Sequence, residues 1–401
     1  MRIELDLEAP PWVPDAWVSV EWRLMVTDTT LRDGMQGWRS LRVEEGLRLY
    51  NLISRLGNVV ESTELFLYTE EQRRLYRGIQ DQDSGPRPVG WIRATLADVR
   101  LAVEAGVEET VALASVGPLH VSRKLGVPWS RAREKYLEAI RLLARSGIGV
   151  RLALEDVTRA PWTVVEDLVI RALRIAEAEG IPFRVKLSDT LGLGLPFPGV
   201  PLPRGVPAMV ESLRGLGLEP GQIEFHGHND LGLVVANHLA AWLYGATYSN
   251  CTLLGIGERA GNCPLEVMLL HYVSITGRLE DVNLEVLPRI VEELEEMGYR
   301  VPEHQPVVGG NAFNTRAGIH IDGLLKDPRI YLPYHPGIVG RRATIEVDSL
   351  SGRSGVYLLL RSLGYRVEGK RDPRVERVYR LLRQGASVEE ALRMEGWPGS
   401  A

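Results

Sequence analysis

The chain has 401 residues, 45% of them apolar and 25% charged, with a formal net charge of −5. Gly (41) and Pro (24) together make about 16% of it, below the level that marks disordered or fibrous chains. These values exclude a fibre, a disordered tail protein and a small disulfide scaffold. No basic excess points to nucleic acid or an anionic membrane as partner.

Residues 1–22 hold Trp12, Trp17 and Trp22 among prolines and lack a basic-then-apolar signal pattern. They read as an N-terminal arm that packs on the body or on a partner subunit. Eight short apolar runs follow as predicted strands: Arg23–Thr27, Val59–Leu65, Gly90–Ala94, Thr110–Ser115, Gly149–Leu154, Phe183–Leu187, Gln222–His226 and Thr247–Leu254. Between them, apolar residues recur at i, i+3 and i+4, as in Val43–Leu56, Ala132–Ala144, Val164–Ala178 and Val234–Tyr244, which predicts helices. Eight strand–helix units over about 250 residues predict an α/β fold, a (β/α)8 TIM barrel over 23–283. The strands read as buried on both sides, as a parallel sheet requires. A doubly wound open sheet is the rival, but it needs fewer strands. The apolar stretch 233–246 is interrupted by Asn237 and His238, so no membrane span is expected. Residues 284–401, with a different rhythm, read as a smaller, mostly helical C-terminal accessory region. Two cysteines, Cys251 and Cys263, cannot build a disulfide framework; they read as inert thiols of a cytoplasmic protein.

Barrel enzymes place their chemistry at the C-terminal ends of the strands. His226 and His228 are two apart at the end of strand 7, so their side chains share one side. Strands 7, 8 and 1 are neighbours in a closed barrel. Asp33, His226, His228 and Asn262 can therefore converge on one cation, and such a mixed set suits Zn2+, Mn2+, Mg2+ or Fe2+. The bland alternative is a pair of hydrogen-bonded histidines at the barrel mouth. Arg32 brings positive charge beside Asp33, where an oxyanion would develop; alternatively it pairs with Glu64 or Asp28. Arg159 and Thr190 can hold a substrate carboxylate. Arg93 ends an apolar strand and needs a partner, either a second substrate carboxylate or Glu155. Gln36 and Ser115, polar residues after strands 1 and 4, complete the substrate-binding candidates. Gly255-Ile-Gly257-Glu-Arg-Ala260 matches a dinucleotide fingerprint, but it follows the last strand instead of the first, so nucleotide binding is not expected there. The Gly/Pro-rich stretch 192–207 has no phosphate-loop lysine and reads as a substrate-covering loop.

In this order, DTTLRDGMQ, HGHND, GERAGN and TRAGIHIDG resemble the DRE-TIM metallolyase superfamily, over about Met25 to Tyr331. The resemblance is to its isopropylmalate, homocitrate and Re-citrate synthase branch. GWIRA, LEDVTRA, FPGVPLPRGVP and AAWLYG look closest to Re-citrate synthase-like members. The resemblance implies a divalent metal (Mn2+, Mg2+ or Zn2+) on Asp33, His226, His228 and, in some members, Asn262. It implies Arg32 beside the substrate carbonyl and Glu155, Arg159 and Thr190 around the oxo acid. It further implies catalytic His320 and Tyr331 reaching the partner subunit's barrel mouth in a homodimer. Met35 stands where Glu is commoner. No long regulatory domain follows, so feedback through one is not expected.

The implied reaction is a Claisen condensation of acetyl-CoA, as co-substrate, with a 2-oxo acid, followed by thioester hydrolysis. Its methyl proton is weakly acidic, so a positioned base is needed, a role for His320 helped by Tyr331, with Glu155 handling further protons. Arg93 favours a 2-oxo dicarboxylate such as oxaloacetate or 2-oxoglutarate, as in citrate or homocitrate synthesis. The alternatives are 2-isopropylmalate synthesis from 2-oxoisovalerate, a hydroxymethylglutaryl-CoA lyase-like cleavage, and a catalytically silent binding protein. The lyase reading is weakened because the loop after strand 8 lacks the Cys of such lyases.

Overall fold

The structure, a computed structural model, describes residues 1–7, 9–14 and 18–397; Trp17 of the predicted arm lies outside them. It divides into two compact units. The short strand β1 (Arg2–Leu5) belongs to the smaller one. The larger unit is a closed barrel of eight parallel strands paired in chain order. These are β2 (Met25–Asp28), β3 (Val60–Phe66), β4 (Arg87–Arg93), β5 (Glu109–Ser115), β6 (Gly149–Glu155), β7 (Phe183–Asp189), β8 (Ile223–Gly227) and β9 (Tyr248–Cys251). β9 pairs back onto β2 and closes the ring. The expected barrel is therefore present, and the helices Val43–Ile53, Trp129–Arg145, Trp162–Glu179 and Val234–Tyr244 lie where apolar periodicity placed them. Their apolar stripes bury Leu49, Ile140, Leu168 and Ala241, among others, against the strands.

The strands are buried on both sides, yet the lumen is charged. Strand side chains alternate in and out. The strands bring three cations, Arg151, Arg184 and Lys186, and the turn after β2 adds Arg32, against four carboxylates, Glu61, Glu64, Glu109 and Glu224. Arg151 is fully buried and bonds Glu109 at 2.7 Å, Glu61 at 3.1 Å and the Ser62 hydroxyl at 2.9 Å. Ions so far from water persist only when paired and hydrogen-bonded. Apolar runs alternating with single charges still read as buried strands, because the outward faces pack under helices.

The smaller unit begins at Leu284, where the sequence break was placed, but the chain returns to the barrel for one segment. Glu292–Tyr299 goes with the barrel. Glu293 accepts a hydrogen bond from Arg48 at 2.7 Å, and Tyr299 packs edge-on against Trp38 with centroids 5.3 Å apart. The smaller unit combines β1, β10 (Asn314–Thr315) and β11 (Ala343–Glu346) in a sheet of order β1-β11-β10. Its helices Gly318–Lys326, Gly352–Ser362, Pro373–Arg383 and Val388–Met394 enclose a core of Ile321, Ile345, Val356, Leu359, Val378 and Leu392. No helix among the described residues is long and apolar enough to cross a membrane.

Candidate active site

At the C-terminal ends of the barrel strands lies a cavity of about 610 Å³. On its wall, β8 presents His226, the residue pair His228 and Asn262 forms a short antiparallel bridge, and the turn after β2 presents Arg32 and Asp33. Ligand atoms of Asp33, His226 and His228 all lie within 4.8 Å of one another. The Asp33 carboxylate is 3.3 Å from His226 Nε2 and 3.9 Å from His228 Nε2.

Neighbouring residues prepare these groups for a cation. Asn250 donates its amide N–H groups to Thr27 and Glu64, which leaves its oxygen to accept from His226 Nδ1 at 2.8 Å. An amide oxygen only accepts, so the proton sits on Nδ1 and Nε2 offers its lone pair toward Asp33. Burial pushes the His226 pKa down to about 3 and lowers that of His228, so both imidazoles are neutral at pH 7. Burial opposes ionisation of Asp33, but Arg32 and the two histidines outweigh it and hold the carboxyl below its ordinary range. Asp33 Oδ2, His228 Nδ1 and Asn262 Oδ1 are buried without a hydrogen bond. Orphaned buried oxygens beside neutral imidazoles form a donor set that fits a divalent cation. Gly257 makes room for the Asn262 side chain: a Cβ there would stand 2.4 Å from Asn262 Nδ2.

Arg32 sits between Glu64 at 3.0 Å and Asp33 at 3.3 Å, with its guanidinium 5.2 Å from the Trp91 ring centre. The pairing with Glu64 is thus real, and it holds Arg32 in the cavity wall. Gln36, Arg93, Glu155 and Thr190 also line the cavity. Three of the predicted substrate-binding residues have partners within the protein. Arg93 is 63% exposed and grips Asp98 with two bonds of 2.8 and 2.9 Å, so its partner is not Glu155. Arg159 does hold a carboxylate, but it is the protein's own Asp156, at 2.8 and 3.0 Å. Ser115 hydrogen-bonds Glu155 and positions it from behind. Both arginines found partners within five residues, because a nearby carboxylate costs less ordering than a distant one. His320 and Tyr331 belong to the smaller unit, both exposed, with rings 4.2 Å apart.

Sequence reading missed Lys186, Lys124 and His120. Lys186 is buried in the cavity wall, bonded to Glu64 and 3.5 Å from Glu224. Its signal was a charge inside an apolar run (FRVKLSD), the same signal that singled out Arg93. Lys124 clamps both oxygens of Glu155 at 2.7 and 2.8 Å, and nothing local in the sequence announced it. The glycine-rich Gly255–Ala260 stretch contributes Glu258 and Arg259 to the cavity. Arg259 is pinned by Asp230 at 2.8 Å and donates to the Thr190 carbonyl. A second group, His238, Cys251 and Cys263, is wholly buried. Its His238 Nδ1 is engaged by Ser249 at 2.7 Å, and burial pushes the Cys263 thiol well up, so it stays a neutral core cluster.

Residues 23–293 match the HMGL-like family model, and 307–389 match the model described as homocitrate synthase post-HMGL domain-like. The chain belongs to the HMGL-like family. It is a DRE-TIM protein, as its motifs implied. This HMGL-like chain is 36% identical over 386 residues to a citrate (Re)-synthase of Clostridium kluyveri, covering 93% of this chain and 83% of that one. It is 38% identical over 375 residues to a 2-phosphinomethylmalate synthase of Streptomyces hygroscopicus, covering 90% and 84%. With a citrate (Re)-synthase of Syntrophus aciditrophicus it shares 34% identity over 371 residues, spanning 90% of this chain and 59% of that one. Among solved structures, an HMG-CoA lyase from Brucella melitensis superposes with a TM-score of 0.57 at 17% identity, over 69% of this chain and 98% of the lyase, which speaks to the fold.

Proposed function

We propose that this chain condenses acetyl-CoA with a 2-oxo dicarboxylate and hydrolyses the resulting thioester, as an acyltransferase of the citrate or homocitrate synthase type. The names and similarity of the relatives support the reaction class. The observation that carries the dicarboxylate choice is Lys186. An ammonium has three N–H donors. Glu64 accepts one, Glu224 lies 3.5 Å away, and Lys186 lines the cavity, so we assign a remaining donor to the substrate. The cavity wall also holds five cationic side chains, Arg32, Arg93, Lys124, Lys186 and Arg259, against three carboxylates, Asp33, Glu155 and Glu258. Each of the five is paired with a protein carboxylate (Arg32 with Asp33 and Glu64, Arg93 with Asp98, Lys124 with Glu155, Lys186 with Glu64, Arg259 with Asp230), so the choice rests on Lys186 and not on the balance of charge. Lys186 joins Arg93, which lines the same cavity, as a receptor for the second carboxylate.

Asp33, His226, His228 and Asn262 would hold a divalent cation, which would supply Lewis acidity to a 2-oxo carbonyl. Arg32, fixed by Glu64, offers its guanidinium to the oxyanion that develops there. Glu155, clamped by Lys124, faces the same cavity as the acid–base carboxylate. His320 assists proton removal from the acetyl methyl, with Tyr331 at its side, and a second copy of the chain in a homodimer delivers them. Their exposure, flanked by exposed Ile319 and Ile330, supports delivery to another molecule.

CoA release with oxaloacetate, 2-oxoglutarate, 2-oxoisovalerate and pyruvate, each with Mn2+, Mg2+ or Zn2+, tests this reading. Preference for 2-oxoisovalerate overturns the dicarboxylate assignment, and acyl-CoA cleavage without condensation favours the lyase. The 2-phosphinomethylmalate synthase relative adds one substrate to the panel, because a phosphinate is also an anion that Lys186 can receive.

A further inference from the structure

His120 stands just behind Glu155, at the start of the short turn His120–Lys124 after β5. Its Nδ1 lies 3.0 Å from Asp156 Oδ2, and its Nε2 lies 3.8 Å from Glu155 Oε1. Asp156 is fully buried and held by two bonds from Arg159 and by its own N–H donated to Thr190 Oγ1. Its backbone is left-handed (φ 66°), an uncommon state for a residue with a side chain. Gly117 makes this reach possible, since a Cβ there would stand 1.7 Å from Asp156 Oδ2. Asp156 accepts at Nδ1, so that nitrogen carries the proton and Nε2 turns its lone pair toward Glu155. The imidazole is 19% exposed, so the ring that faces Glu155 also meets solvent.

We propose that His120 is the positioning residue through which Glu155 returns its proton to solvent. This rests on the reading of the chain as a thioester-hydrolysing condensing enzyme. In the hydrolytic step, water oxygen bonds the thioester carbon, the C–S bond breaks, CoA leaves as the thiol, and a carboxylate product forms. At neutral pH the sum releases one proton. Glu155, clamped by Lys124 and Ser115, accepts a proton from the attacking water and must lose it before the next turnover. His120 Nε2 takes that proton and passes it to bulk water, while Asp156 stabilises the transient imidazolium. Arg159 and Lys124 are the cations beside the pair, and each is already matched, to Asp156 and Glu155 respectively.

The test is steady-state CoA release by His120→Gln across pH, with and without added imidazoles of graded basicity. We expect kcat to fall about tenfold or more with KM for the oxo acid unchanged, and to recover with imidazole concentration and basicity. A purely structural role gives no graded rescue, and a kcat equal to that of the unaltered protein, or one indifferent to imidazoles, overturns the proposal. Nitrogen-15 NMR of His120 provides a readout independent of turnover. Nδ1–H with a bare Nε2, lost in Asp156→Asn, supports the relay; an Nε2–H tautomer overturns it. If no 2-oxo acid is turned over, the functional reading fails and the NMR result alone decides the His120–Asp156 arrangement.

Discussion

Replacing Lys186 with Met separates what this lysine does for the fold from what it does for the substrate. Lys186 bonds Glu64 directly and lies 3.5 Å from Glu224, with all three groups buried. Removing the ammonium leaves those carboxylates short of a cation, which costs about 3–5 kcal/mol of stability. The double change Lys186→Met with Glu64→Gln removes one charge of each sign and should recover part of that loss. The substrate term is distinct. A hydrogen bond to a charged group contributes about 1.5–3 kcal/mol, or about 10- to 150-fold in kcat/KM. The assay compares oxaloacetate with 2-oxobutyrate, a four-carbon 2-oxo acid without the distal carboxylate. Because any unfolded fraction cancels in the ratio of the two kcat/KM values, the ratio reports recognition alone. It should fall by about 10- to 150-fold in both variants. An unchanged ratio in folded protein would refute Lys186 as a receptor.

Arg151→Leu leaves Glu61, Glu109 and Glu224 without their shared partner in the lumen, and urea unfolding should show a loss of about 3–5 kcal/mol; a loss below about 1 kcal/mol would show that the network relaxes around the gap. In metal-free protein the unfolded chain protonates His226 near pH 6.5, whereas the folded site resists until about 3, so stability is full above 6.5 and falls as pH drops through that window, by up to about 1.4 kcal/mol per unit. His226→Asn should flatten that slope, and parallel curves for the two proteins would contradict the assignment. Gly257→Ala pushes a Cβ against Asn262, so calorimetric Mn2+ titration should show about tenfold weaker binding, and an unaltered affinity would remove Asn262 from the ligand set.

Strand and helix positions were legible because their signals are local. Eight apolar runs at regular spacing dictate a parallel barrel, and the 3.6-residue periodicity of Val234–Tyr244 marked its helix to both ends. The convergence of Asp33, His226 and His228 was readable for the same reason, since strand ends in a closed barrel meet by topology alone, and Asn262 lies beside His228. Which charge meets which was not readable. Arg93 turned to Asp98, Arg159 to Asp156, and the lysines of the cavity, Lys186 and Lys124, went to Glu64 and Glu155. A side chain's partner depends on distances that exist only after the barrel closes, and desolvation then decides among carboxylates that look equivalent along the chain. His120 shows the same limit: it lies 36 residues from Asp156 in sequence, and only the left-handed turn at Asp156 and the missing side chain at Gly117 bring them to 3.0 Å.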